Sequence, residues 1–325
     1  MPGFTTHYIL GMKAYNDMPQ NNLKFIIAKY RWLYQLGLQG PDMFFYNIPI
    51  LRHRDYRNVG SYMHEHKVNA FFECCLRRIG TIRSRQQQEE AISYLAGFIN
   101  HYIADSICHP YVYGRIGYPV DAPTSMHHGM HAHLENELDA ILLWKYKKKK
   151  PSEFNQTATI CLNGQEIQFI SHFLASCINE TYYPITYRNN FQVTPAMVHR
   201  SIWALRFGCR TLSDKNGKKK FGIAQVESIF VNHPVASAKM VTDSVTDYRS
   251  SCNLNHEAWG NPWDPTRVST ASFVDLFHET LDKCSRVYAL LNSAVTDNMP
   301  LDKQDLSPLL AELGNESYHS GLPVE

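Results

Sequence analysis

The chain has 325 residues, 44% of them hydrophobic, with 32 basic against 30 acidic side chains and a net charge of +2. That content supports one large core or two modest ones, and so even a charge balance argues against a general polyanion binder. No segment offers the roughly eighteen uninterrupted apolar residues of a membrane helix. The start, MPGFTTHYILG, lacks the basic region, apolar stretch and cleavage site of a signal peptide, so a cytoplasmic protein is expected.

In chain order, apolar residues returning every three or four positions predict helices over residues 4–16, 21–37, 59–80, 86–109 and 127–146. The stretch 39–58 reads as a loop punctuated by Gly40, Pro41 and Pro49, and a second loop is expected over 114–125. Around Asn163-Gly164 the β-branched segment TATICLNGQEIQFI predicts a small β-hairpin near 157–170 inserted into a helical protein. Helices resume at about 168–183, at 195–213 behind Thr194 and Pro195, and at 272–294 behind Ser272. A single helical domain over 1–298 is expected, followed by a flexible tail over 299–325. The eight cysteines are scattered without a CxxC pair, the pattern of reduced thiols. The lysine runs 147–150 and 218–220 read as solvated helix ends.

Histidine carries the chemistry. Ten of the sixteen histidines lie at or before His133, so metal chemistry is expected mostly within 1–145. His101, Asp105 and His109 stand at four-residue intervals on one predicted helix, and His131 and Glu135 repeat the interval on another. Residues i and i+4 share a helix face about one turn apart, so these imidazoles and carboxylates can converge on a cation such as zinc. His7, Asp42 and His64 widen the collection beyond what one tetrahedral zinc uses, whereas several metals bridged by a carboxylate would use it.

The blocks MPGFTTHYILG, LGLQGPDMFFY, GSYMHEH, FINHYIADSICHPYV and HHGMHAHLENELDAIL, in that order, resemble those of zinc-dependent phospholipase C proteins. These proteins share an all-helical fold with zinc-dependent single-strand nucleases. The resemblance covers residues 1–145 well and implies an all-α bundle with up to three zinc ions. Asp42, His64, His101 and Asp105 would hold one, Asp105 would bridge to a second bound by His7, and His109, His131 and Glu135 would hold the third. Asp42 would also be catalytic, orienting a metal-activated water or taking its proton as it attacks a phospholipid phosphodiester.

Three departures stand out. Characterised relatives use a processed amino-terminal tryptophan as a ligand, whereas here removal of Met1 would offer the Pro2 amine. His109 follows Asp105 more closely than in the secreted phospholipases and precedes Pro110. Met43 replaces an aromatic residue of the choline pocket, so choline specificity does not transfer, although Phe44, Phe45 and Tyr46 could line a substrate groove or simply pack.

Each residue also has a plainer reading. His7 could cap a helix, Asp42 a turn, and a single buried histidine more often packs than binds metal. His64 is preferred to His66 by its place in the resemblance, and His131 with Glu135 to His133 with Glu137. Asp139 could orient a ligand histidine or merely lie on a helix face. His233 and His256 are weaker candidates for a groove, and Trp259 and Trp263 are expected to pack. Expected partners are a phospholipid or other phosphodiester and transient contact with a membrane surface, with no specific nucleic-acid partner evident. The alternatives are a nuclease or other phosphoesterase with the same cluster, and a non-catalytic, zinc-stabilised binding protein.

Overall fold

The structure is a computed structural model describing residues 3–46, 59–188, 192–212, 214, 217–230 and 237–325. It is a helical assembly built around one long central helix. The helices are α1 (Phe4–Asp17), α2 (Asn22–Lys29), α3 (Arg31–Gly37), α4 (Val59–Glu65), α5 (Val68–Thr81), α6 (Arg85–Arg115), α7 (Ser125–Lys147), α8 (Gly164–Arg188), α9 (Pro195–Leu212), α10 (Lys218–Phe230), α11 (Tyr248–Ser251), α12 (Phe273–Thr296) and α13 (Ser307–Leu313). A 3₁₀ helix spans Gly40–Tyr46. Strands β1 (Trp259–Asn261) and β2 (Asp264–Ser269) form the one sheet among the described residues, an antiparallel pair. No helix among them is long and apolar enough to cross a membrane.

The central helix α6 runs 31 residues and is buried almost continuously from Glu90 to Val112. Helix α3 lies against it at a glycine crossing. A Cβ on Gly37 would strike the Tyr94 carbonyl, and one on Gly97 the Tyr34 carbonyl. Two residues without side chains thus bring the backbones close enough for Leu33, Leu36 and Phe98 to be fully buried. Helices α1, α2 and α12 pack around the same axis.

Several expected elements change under tertiary contacts. The helix expected over 21–37 breaks at Tyr30 (φ −115°, ψ 43°), whose carbonyl accepts a hydrogen bond from Ser93 Oγ on α6 at 3.0 Å. The helix expected over 59–80 breaks before Lys67, which adopts a left-handed φ of 50° while its N–H donates to the Glu325 carbonyl at 3.0 Å. Conversely, α6 continues through Pro110, where a stop was expected. A proline inside a helix costs about 3 kcal/mol, and the burial of Tyr111 and Val112 beyond it offsets that loss.

The β-hairpin expected near 157–170 is not formed. Asn163 instead begins α8, accepting a hydrogen bond from the Glu166 N–H at 2.9 Å while Glu166 Oε2 accepts one from the Asn163 N–H at 2.8 Å. Asn-x-x-Glu is a reciprocal capping pair, and it outcompetes the tight turn that Asn-Gly would favour. The observed hairpin lies later, at β1 and β2. Nor is 299–325 loose, as expected. Leu301, Leu306, Leu309, Leu313 and Tyr318 are buried, and α13 packs on α12 and α5. All eight cysteines are free thiols, as expected.

Candidate metal centre

Five segments deliver the eight expected ligands to one place. Helix α6 presents His101, Asp105 and His109 on one face, all fully buried. His7 comes from α1, Asp42 from the 3₁₀ helix, His64 from the end of α4, and His131 with Glu135 from α7. They converge as two adjoining groups. In the inner group, ligand atoms of His7, Asp42, His101 and Asp105 lie within 4.8 Å of one another. His64 joins it, with Nε2 3.2 Å from Asp42 Oδ1 and 3.7 Å from Asp105 Oδ2. In the outer group, His131 Nε2 is 2.6 Å and His109 Nε2 3.6 Å from Glu135 Oε1.

Asp105 is the hub. Its Oδ1 is 3.1 Å from His7 Nε2 and its Oδ2 is 3.2 Å from His101 Nε2, so one carboxylate joins two histidines of the inner group. Oδ2 also lies 3.7 Å from Nδ1 of His109, whose Nε2 faces the outer group.

The histidines are aimed by backbone carbonyls. His64 donates from Nδ1 to the Gly60 carbonyl at 2.6 Å, His101 to Leu38 at 3.1 Å and His109 to Tyr318 at 2.7 Å. A proton held on Nδ1 leaves Nε2 with its lone pair toward the cluster, the tautomer a metal requires. Gly40 makes room for His101. It has φ +47°, and a Cβ there would run into the imidazole.

Asp139 acts neither as a partner of a ligand histidine nor as a plain surface carboxylate. Its oxygens accept the N–H groups of Thr5 at 3.0 Å and Thr6 at 2.7 Å, capping α1 and so setting the position of His7. Burial raises the Asp139 pKa to about 6.

The electrostatics suit a cation. Burial and the neighbouring His101 lower the His7 pKa to about 4, keeping its ring neutral at neutral pH. Burial opposes charge on His101, yet Asp105 and Asp42 raise its pKa, so positive charge is favoured beside them. Burial likewise opposes charge on Asp105, but His101 and His7 hold its carboxyl well below the ordinary range.

Buried polar atoms of His7, Asp42, His64, His101, Asp105 and His109 face one another without forming aligned hydrogen bonds among the described residues. Each such atom costs about 1–3 kcal/mol when left unsatisfied. Imidazole nitrogens and carboxylate oxygens grouped in this way are a donor set that fits zinc.

A family model for zinc dependent phospholipase C matches residues 6–186, more than half of the chain and a span containing all eight of these residues. The chain belongs to that family. No curated protein and no solved structure matches it.

Within this member of the family, the near neighbours of the eight residues go elsewhere. The His66 ring lies against that of Tyr62 at 4.2 Å, tilted by 32°. His133 is half exposed, and Glu137, its neighbour on α7, accepts hydrogen bonds from Thr246 N–H at 2.6 Å and from the Ser251 hydroxyl. His256 contacts the Thr270 carbonyl at 3.0 Å, away from the cluster. Trp259 packs, donating to the Ala271 carbonyl at 2.9 Å, and Trp263 lies edge-on to Tyr113 at 4.9 Å. Met43 and Phe44 are core residues, while Phe45 lies 5.4 Å from the His64 ring. Met1, Pro2 and His233 lie outside the described residues.

The sequence reading missed the C-terminal strap over residues 314–325. Its Tyr318 carbonyl holds His109, its Tyr318 N–H donates to the His64 carbonyl at 2.9 Å, and the His319 ring stacks on His64 at 4.8 Å and 12°. His319 Nδ1 also lies 3.2 Å from the Tyr113 hydroxyl. These residues lie beyond the family match, and no spacing in the sequence ties them to α6.

Proposed function

We propose that this chain is a zinc-dependent phosphodiester hydrolase of the phospholipase C type, acting on a phospholipid. The observation that carries the reading is Asp105, buried between two ligand groups and within 3.7 Å of His7, His64, His101 and His109. A carboxylate so placed suits adjacent metals. When bound, zinc supplies Lewis acidity that makes water a nucleophile at neutral pH and offsets charge on phosphoryl oxygens.

The chain's own residues do the rest. His64, His101 and Asp105 hold the inner position, shared with His7, while His109, His131 and Glu135 hold the outer one. Asp42 turns one oxygen to His64 and the other toward His101, at 3.2 and 3.7 Å, and in this reading it orients the attacking water or takes its proton. The outer pair reaches solvent, with side chains 14% exposed at His131 and 11% at Glu135, and so is where a phosphoryl group would arrive. Up to three zinc ions, a single domain and residence in the cytoplasm belong to the same proposal.

The test is elemental analysis of protein carrying no N-terminal tag, beside turnover of a soluble chromogenic phosphodiester, phospholipid vesicles and single-stranded DNA. Two or three zincs and turnover of lipid are expected, with at least one zinc and most of the turnover lost in each of His101→Ala and Glu135→Ala. Preference for DNA would move the reading to a nuclease, and metal without turnover to a zinc-stabilised binding protein.

A further inference from the structure

Helix α9 has two faces of opposite character. Val198, Ile202, Leu205 and Cys209 are buried against α8 and the 3₁₀ helix that carries Asp42. The outward face carries Arg200, Trp203, Phe207 and Arg210 at three- and four-residue steps, a continuous stripe along the helix. Trp203 is 63% and Phe207 53% exposed, large apolar side chains left in water, and their rings stack on each other at 5.3 Å and 8°.

Within their own segment the exposed charge has one sign. Between 192 and 226 the sole acidic residue is Asp214, which is buried and accepts the Lys220 N–H at 2.7 Å. Exposed Arg200, Arg210 and Lys218 therefore meet no exposed carboxylate from their own segment. Phe221, at the start of α10, is 67% exposed beside that lysine run.

We propose that the outward face of α9, with the start of α10, docks this protein on an anionic phospholipid surface. The inference rests on the phospholipase reading for the nature of the surface. Aromatic rings flanked by arginines on one face of a helix suit the headgroup boundary, where rings bury their apolar bodies and guanidinium groups meet anionic lipid. Nucleic acid suits the stripe less well, because base stacking uses open ring faces and Trp203 and Phe207 cover each other's.

The location adds a consequence. Gly208 of α9 meets the Tyr46 ring, at the end of the turn carrying Asp42. A surface held by α9 is thus held by the helix that braces the metal site.

The test uses the full chain and vesicles of phosphatidylcholine alone or mixed with phosphatidylserine, reading the bound fraction by co-sedimentation. Wild type is expected to bind the mixed vesicles and to release them as salt rises. Each basic side chain near an anionic surface contributes roughly fivefold in partitioning, so Arg200→Glu with Arg210→Glu should lower binding by at least about thirtyfold. Trp203→Ser with Phe207→Ser should lower it about tenfold on both vesicle types. Both double variants should keep the wild-type melting temperature and turnover of a soluble diester, since neither touches the metal site.

Equal binding by wild type and variants overturns the proposal, as does wild type that ignores mixed vesicles. Capture of a single-stranded oligonucleotide through the stripe in place of vesicles, or a dimer that the variants dissolve, overturns it in favour of those occupants. Diester turnover without vesicle binding would remove the docking surface and leave the hydrolase. Vesicle binding through the stripe without turnover would do the reverse.

Discussion

The inner and outer candidate ligand groups meet where Asp105 of the inner one lies against His109 of the outer one, but they differ in how they are enclosed. The inner imidazoles of His7, His64 and His101 are fully buried, and His64 and His101 are aimed by carbonyls from segments close to the 3₁₀ helix. The outer group reaches solvent at His131 and Glu135, and its His109 is anchored by the Tyr318 carbonyl near the far end of the chain. A sealed, preorganised group suits holding a cation permanently, and an open one suits exchange with substrate. The difference also makes the two separable by experiment.

The largest effect should come from removing the carboxylate where they meet. Asp105→Asn keeps shape and removes charge, and it is expected to empty the inner group, weaken the outer one and lower turnover roughly a thousandfold or more. Elemental analysis beside diester turnover checks this, and a variant with full metal and activity would break the hub reading. Glu135→Ala should be more selective. It is expected to cost one metal of the set and about a hundredfold or more in turnover while the inner metal stays. Loss of all metal at once would show that the groups are not separable.

Deleting 315–325 removes no candidate ligand but takes the Tyr318 carbonyl from His109 and the His319 ring from His64. Metal affinity of the outer group should fall about 10–100-fold, the range for loss of such a supporting contact. Competition with a graded chelator reads this directly, and unchanged affinity would mean that the strap does not aim His109. The smallest effect is expected from Asp139→Ala, which removes the cap of α1 beneath His7. It should lower stability by about 1 kcal/mol and loosen the inner group alone, seen as a lower melting temperature and slightly faster metal release. An effect confined to the outer group would contradict the placement of His7.

The contrast between the groups also separates what local patterns carry from what they do not. His101, Asp105 and His109 were legible because i, i+4 spacing is a property of any helix. The start and end of α1, α7 and α12 followed from periodicity and caps for the same reason. Asn163 was misread because Asn-Gly and Asn-x-x-Glu coincide there, and local pattern alone does not rank a turn against a cap. The breaks at Tyr30 and Lys67 depend on Ser93 and Glu325, partners far along the chain.

The sequence by itself determined the candidate ligand types, their helix faces and the family, since these rest on residue chemistry and short-range geometry. Tertiary structure alone decided that Asp105 joins His7 to His101 and lies against His109, that Asp139 caps α1, and that residues 314–325 close against His64 and His109. Those outcomes depend on carbonyls, carboxylates and rings brought together by core packing, and hydrogen bonds between distant segments leave no periodic trace in the chain.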